Sequence, residues 1–182
     1  MLEAMNNEVR SGRLNDETFK EAVLQYRERI FLVILRFIRN REDARDLTQE
    51  TFVKAYRSRD YFRGESNVYT WLYKIAINLA LNYKNRSRAS SFSSLEDGPE
   101  IAGTNDPSSG ILDRELGQNI DTAISNLPAR QRMVFILRYY DEKPHAEIAN
   151  LLGITEGAVK ASYHQAIMKL RAMLSPYLEA EI

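Results

Sequence analysis

Cysteine is absent from the chain, and only two histidines, His145 and His164, are present. The first absence excludes disulfides, thiolate zinc sites and cysteine nucleophiles together. The second leaves too few imidazoles for a histidine-based metal centre, so neither metal nor cofactor is expected. Long apolar runs are missing too. "IFLVIL", ended by Arg36, falls far short of the roughly 20 residues that a membrane span requires. "MLEAMNNEVRSGR" lacks the apolar core of a signal peptide. No segment alternates like a strand, and no internal repeat occurs. Net charge is absent as well, with 25 Lys+Arg against 25 Asp+Glu. With 44% hydrophobic residues to build cores, the expectation is a soluble, cytoplasmic protein without membrane insertion.

The zero charge is an average over unlike segments. Residues 1–90 carry 17 basic and 12 acidic side chains, a balance of +5. Residues 91–116 carry one basic and six acidic, and residues 117–182 seven of each. The middle segment, around "SRASSFSSLEDGPEIAGTNDPSSG", is rich in Ser, Gly, Pro and acids and reads as a flexible acidic linker.

Helical blocks flank it. In the first, Phe19, Val23, Tyr26, Ile30, Val33 or Ile34, and Phe37 recur at three- and four-residue spacing, behind Asn15 as N-cap and Asp16 and Glu17 in the first turn. Asn40 is placed to end that helix in a left-handed conformation. A second helix, about 42–57, should bury Ala44, Leu47, Thr51 and Ala55. A third, about 67–86, should bury Leu72, Ile75, Ala76 and Leu79. The other block starts near Leu112, with Pro128 and Pro144 each expected at the first position of a helix. The fold class is all-α: two small helical domains, 1–88 and 112–182, joined by a linker over 89–111.

Three features carry chemistry. Ala149, Gly153 and Val159 meet the needs of a helix-turn-helix, which are a small contact residue, a left-handed turn and an apolar anchor. Thr155 then caps a second helix whose opening turns present Glu156, Gly157, Ala158, Lys160 and Ala161 to base edges. The alternative is a helical hairpin that only packs on a partner. Next, five aromatics lie between Tyr61 and Tyr73. They suit either a core or a surface face on which Trp71, Lys74, Asn78 and Asn82, extended by Lys84, Arg86 and Arg88, would hold unpaired bases. Last, Asp43, Asp46 and Glu50, beside Gln49, fall opposite Leu47 and Ala55. That strip is either solvated or a docking site for a basic partner.

In this order the pieces resemble a bacterial RNA polymerase sigma factor of the extracytoplasmic-function class. "DARDLTQETFVKAYR" looks like region 2.2 and "FRGESNVYTWLYKIAINLALNY" like regions 2.3 and 2.4. "LPARQRMVFILRYYDEKPHAEIANLLGITEGAVKASYHQAIMKLR" looks like region 4. Region 1.1 and a region 3 domain have no room, which marks the class. The resemblance implies that Asp46, Gln49 and Glu50 dock on the β′ clamp helices of core polymerase. It implies that Arg63, Gly64, Glu65, Ser66 and Asn67 capture a flipped base of the minus-ten element, with Trp71, Lys74 and Asn78 holding the strand. Region 4 would pack on the β flap and read the minus-thirty-five element through Thr155, Glu156, Gly157, Ala158, Lys160, Ala161, His164, Gln165 and Lys169. Promoter DNA and an anti-sigma factor complete the implied partners, and the polymerase supplies the catalysis. Neutral charge then has a reason, since core contributes much of the phosphate attraction that free-standing DNA binders must carry themselves. Ser162, Gln165 and Ile77 stand where arginine is common in relatives.

The rival readings are a ligand-sensing regulator that binds duplex without polymerase, an adaptor without promoter dependence, and an enzyme. The last would rest on Asp43, Asp46 and Glu50 as metal ligands, but no histidine accompanies them and no convergent set of ligands stands elsewhere in the sequence.

Overall fold

The computed structural model describes residues 14–64, 66–91 and 111–178. Within these, seven α-helices and one 3-10 turn are found and no strand. The chain forms two compact units that part between Ser87 and Arg88. The linker expected over 89–111 falls mostly outside the described residues.

The first unit is built on α1 (Asp16–Ile38), α2 (Arg41–Ser58), a 3-10 turn (Arg59–Tyr61) and α3 (Val68–Ser91). Asn15 caps α1, its side chain accepting the Thr18 N–H at 2.8 Å, with Asp16 and Glu17 beside the positive helix end. Only two residues link α1 to α2. Here the expectation for Asn40 is corrected: Arg39, at φ 64°, takes the left-handed position, and its N–H donates to Leu35 O at 2.8 Å. Asn40 instead stays extended and caps α2, accepting from the N–H groups of Glu42 and Asp43 at 2.9 and 3.1 Å. An asparagine suits both positions, and the N-cap satisfies two donors where a left-handed residue would satisfy none with its side chain.

Helices α1 and α2 pack along each other. Ile30, Val33, Ile34 and Phe37 face Ala44, Leu47, Thr51 and Ala55, all buried. The alanines let the helix axes approach, and the buried Thr51 hydroxyl is satisfied by its own helix through Leu47 O at 2.7 Å. Arg59 ties the far end: its guanidinium lies 3.8 Å over the Tyr56 ring, and its Nε meets Asp16 Oδ1 at 3.2 Å.

Helix α3 departs from expectation in two ways. It continues to Ser91, because neither Arg88 nor Ala89 nor the serines break a helix and no Gly or Pro follows until Gly98. It also buries Tyr73 and Ile77 fully while Ile75 is only half-buried. With Leu72, Ala76, Leu79 and Ala80 this makes a broad apolar face rather than a single stripe. Ile77 therefore serves the core, where an arginine would leave a buried charge.

The second unit comprises α4 (Ile111–Ser125), α5 (Ala129–Tyr139), α6 (His145–Leu152) and α7 (Glu156–Leu178). Pro128 and Pro144 sit at the N-cap positions, one residue earlier than expected, with φ of −52° and −64°. The ring fixes φ near such values anyway, and the proline lacks only the N–H that a helix start leaves unused. Helix α7 is the hub and packs on α4, α5 and α6. Ala123, Ile124, Leu127, Phe135, Ala166 and Leu170 form one buried cluster, flanked by Tyr163, Ile167 and Leu174. Arg132, also buried, donates to Ser125 O at 3.2 Å, joining α5 to the end of α4.

Candidate nucleic-acid interface

The turn between α6 and α7 sets the geometry. Gly153 has φ 63° and ψ 39°, and its N–H returns to Ala149 O, as does the N–H of Ile154 at 3.0 Å. A Cβ there would meet no atom within 4 Å, so glycine is needed for its backbone conformation and not for space. An L-residue would pay roughly 1–2 kcal/mol in that region. Thr155 then accepts the Ala158 N–H at 3.2 Å through its hydroxyl. These are the cap and turn that the sequence calls for.

The spacing of Val159, Ala166 and Leu170 puts all three on the buried side of α7. Thr155, Glu156, Gly157, Ala158, Lys160, Ala161, His164, Gln165 and Lys169 fall on the other side, and every one is exposed. Ser162 and Tyr163 lie between, half-buried. Charge on this face is partly cancelled: Lys160 Nζ is 2.9 Å from Glu156 Oε1, and this ammonium holds the Glu156 carboxyl below the usual range. Gln165 is also engaged, its Oε1 accepting from Gln131 Nε2 of α5 at 2.7 Å.

In the first unit, Phe62 to Asn67 connect the 3-10 turn to α3. Gly64 has φ 69°, Arg63 is exposed, Ser66 is half-buried, and Glu65 lies outside the described residues. Asn67 is exposed, yet its Oδ1 accepts the Thr70 N–H at 2.7 Å. The aromatics divide between the two readings that their spacing left open. Tyr73 is core, and Tyr26, Tyr69 and Tyr73 form a chain of rings about 5.0 Å apart. Trp71 is half-buried against Phe62, with ring centroids 5.0 Å apart. Lys74, Asn78 and Asn82 continue from it along an exposed line. Arg88 has no described side chain.

Tyr61 belongs to the same aromatic cluster but carries no individual assignment from the sequence. It is 82% exposed and ends the 3-10 turn, immediately before this loop. Nothing in the spacing separates it from Phe62, its buried neighbour between Asp60 and Arg63; only the phenol hydroxyl marks it as the ring that can face water.

On α2, Asp46, Gln49 and Glu50 share an exposed strip with Val53 one turn further on. Asp43 is not part of that free strip. It is half-buried and accepts a hydrogen bond from the Tyr83 hydroxyl of α3. Burial, followed by this carboxylate, pushes the Tyr83 phenol up to about 12. Among the described residues no group of His, Asp and Glu is placed to hold a metal ion, and no helix is long and apolar enough to cross a membrane.

Comparison with known proteins assigns both units. The family model for sigma-70 region 2 matches residues 22–90, and that for sigma-70 region 4 matches residues 117–170. The RNA polymerase sigma-H factor of Pseudomonas aeruginosa is 32% identical over 178 residues, covering 93% of this chain and 92% of its own. The ECF RNA polymerase sigma-E factor of Escherichia coli K12 is also 32% identical over 178 residues, covering 91% and 93%. Among solved structures, the sigma factor RpoE of Bartonella quintana, crystallised with the anti-sigma factor NepR, superposes with a TM-score of 0.69 at 24% identity over 86% of this chain and 96% of that one. CnrH, in complex with the cytosolic domain of CnrY, gives 0.67 at 21% identity, over 95% and 96%. A helix-turn-helix in one unit, an exposed acidic strip and an aromatic loop in the other, and two matching family models in the same order lead to one conclusion: the chain belongs to the extracytoplasmic-function class of sigma-70 factors, which recognise promoters and initiate transcription with RNA polymerase.

Proposed function

We propose that the two units divide promoter recognition, and that the outer face of α7 reads the minus-thirty-five element. The observation that carries this is the separation on α7 itself. Val159, Ala166 and Leu170 are spent on the core, while Thr155 and eight residues of α7, from Glu156 to Lys169, lie exposed on the other side. Such a helix behind a left-handed turn has the shape that a major groove admits.

In the first unit, the loop from Arg63 to Asn67 and the line Trp71, Lys74 and Asn78 capture and hold the opened minus-ten strand. The exposed ring of Tyr61 adds a stacking surface at the loop's start. Stacking a base on an aromatic is worth roughly 1–3 kcal/mol, which offsets much of the cost of flipping it out. Asp46, Gln49 and Glu50 dock on the β′ clamp helices, and the second unit packs on the β flap. The protein works in the cytoplasm with the polymerase, catalyses nothing itself, and is held in check by an anti-sigma factor, a reading supported by its likeness to RpoE, which was crystallised with the anti-sigma factor NepR. Transcription in vitro with purified core polymerase, with and without the protein, tests the whole reading. Promoter-dependent transcript only in its presence supports it; core-independent, sequence-specific binding to duplex would favour a conventional regulator.

A further inference from the structure

We propose that Gln131 is a specificity-determining positioning residue: through its hydrogen bond it fixes the amide of Gln165, so that Gln165 offers N–H donors to the major groove. The inference rests on the reading of α7 as the upstream-element reader. Gln165 is exposed on that face, and its Oε1 accepts from Gln131 Nε2 at 2.7 Å. The partner sits on a different helix, thirty-four residues earlier, and packs at the third position of α5.

A glutamine amide is ambiguous by nature, since it presents either an acceptor or two donors depending on a half-turn of its last torsion. A free Gln165 would read donor-bearing and acceptor-bearing bases alike. Gln131 removes the ambiguity only if its own amide has one preferred orientation, and its surroundings supply one. Its Oε1 is buried without a hydrogen-bond partner. The opposite orientation would bury an NH2 group in that place, leaving two donors unsatisfied where there is now one acceptor, and orphaned N–H groups are the rarer and costlier case. The first turn of α5 also carries the positive end of the helix, which favours oxygen over NH2. The Gln131 NH2 therefore points at Gln165, and the Gln165 carbonyl is drawn inward to meet it.

What remains toward the groove is the Gln165 NH2. Its natural partners are major-groove acceptors: guanine N7 and O6, adenine N7 and thymine O4. Cytosine presents only its N4 donor there and is the base excluded. At the one base pair that Gln165 reaches, preference should run against cytosine on the contacted strand.

The test uses holoenzyme assembled from core polymerase, on promoters varied one base pair at a time through the upstream element. Gln165→Ala should flatten preference at a single pair. Gln131→Leu should weaken preference at that same pair by roughly fivefold, the worth of about one hydrogen bond, and leave the others as they were. Gln131→Glu, nearly isosteric, can only accept; it should turn the Gln165 NH2 inward and shift preference at that pair toward cytosine. In a Gln165→Ala background neither Gln131 change should have any effect on preference. If Gln165→Ala flattens one pair while both Gln131 variants keep wild-type preference there, the positioning role is wrong and the reading of α7 stands. If Gln165→Ala alters no pair, that reading of Gln165 fails, and the inference with it.

Discussion

Asn67 Oδ1 accepts the backbone N–H of Thr70 at 2.7 Å, which makes the asparagine the N-cap of α3. The Trp71 N–H closes the first turn on Asn67 O at 3.2 Å. The residue to which the sigma-factor resemblance gives a part in base capture thus also starts the helix carrying Trp71, Lys74 and Asn78.

Substitution at Asn67 should therefore act twice. Asn67→Ala should cost about 1 kcal/mol of stability through the lost cap, whereas Asn67→Asp or Asn67→Ser should keep most of it. Trp71 is the only tryptophan, so its fluorescence in urea reports this unit alone. Equal midpoints for the alanine and serine variants would mean that the cap contributes nothing. Base preference at the minus-ten element is then best probed with the serine variant, where capping is retained and the amide is gone.

Much of this arrangement was legible because it is local. The stripe on α1, the buried set on α2 and the Gly153 turn follow from spacing and from the conformations that Asn and Gly accept. What escaped depends on partners distant in sequence or on a choice between equivalent neighbours. Arg39 and Asn40 could each end α1, and only the need to cap α2 decides between them. Ile75 and Ile77 are equally apolar, and packing selects Ile77. The Gln131–Gln165 pair leaves no periodic trace, since two polar residues on different helices look like two solvated surfaces.

The contact of Tyr83 with Asp43 makes a prediction at high pH. The Tyr83 phenol is pushed up to about 12, from an ordinary value of 10, by burial first and then by the carboxylate beside it. The folded unit therefore retains a proton that the unfolded chain releases. The resulting stabilisation is complete below pH 10 and is lost as pH rises from there toward 12. Urea midpoints read by Trp71 fluorescence should fall across that window in the wild type. Tyr83→Phe should flatten that fall, and an unchanged slope in the variant would assign the alkaline loss to other groups.

The exposed strip on α2 makes a prediction about assembly. Reversing charge with Asp46→Lys and Glu50→Lys should weaken binding to the β′ clamp helices. The fold should lose little, typically within about 0.5 kcal/mol, because neither side chain is buried. A pull-down with a β′ fragment, alongside far-UV circular dichroism, separates the two effects. Asp43→Asn offers a contrast. It should disturb the Tyr83 contact on α3 more than it disturbs docking, since Asp43 is half-buried and engaged by the Tyr83 hydroxyl. Wild-type β′ affinity in the double lysine variant would remove the strip from the docking surface.

Glu156 poses the sharper electrostatic question, because it sits among the residues assigned to DNA and carries the wrong charge for phosphate. Its carboxylate is held below the usual range by Lys160, 2.9 Å away on the next turn. Both side chains are largely exposed, so their mutual attraction does little for the fold. Its effect is on binding. While the pair persists, Lys160 spends part of its charge on Glu156, and a phosphate approaching the first turn of α7 meets a carboxylate there. Glu156→Gln should release Lys160 and remove the repulsion, tightening holoenzyme binding to upstream duplex and steepening its salt dependence. Lys160→Ala should do the reverse, leaving Glu156 without its counter-charge. The acid side follows the same logic: the ion pair is intact above the ordinary carboxylate pKa and is lost as pH falls through the depressed value, so it is fully formed at neutral pH. Measuring affinity for the upstream duplex at several salt concentrations decides the matter. If Glu156→Gln leaves both affinity and salt slope unchanged, the first turn of α7 does not face the phosphate backbone.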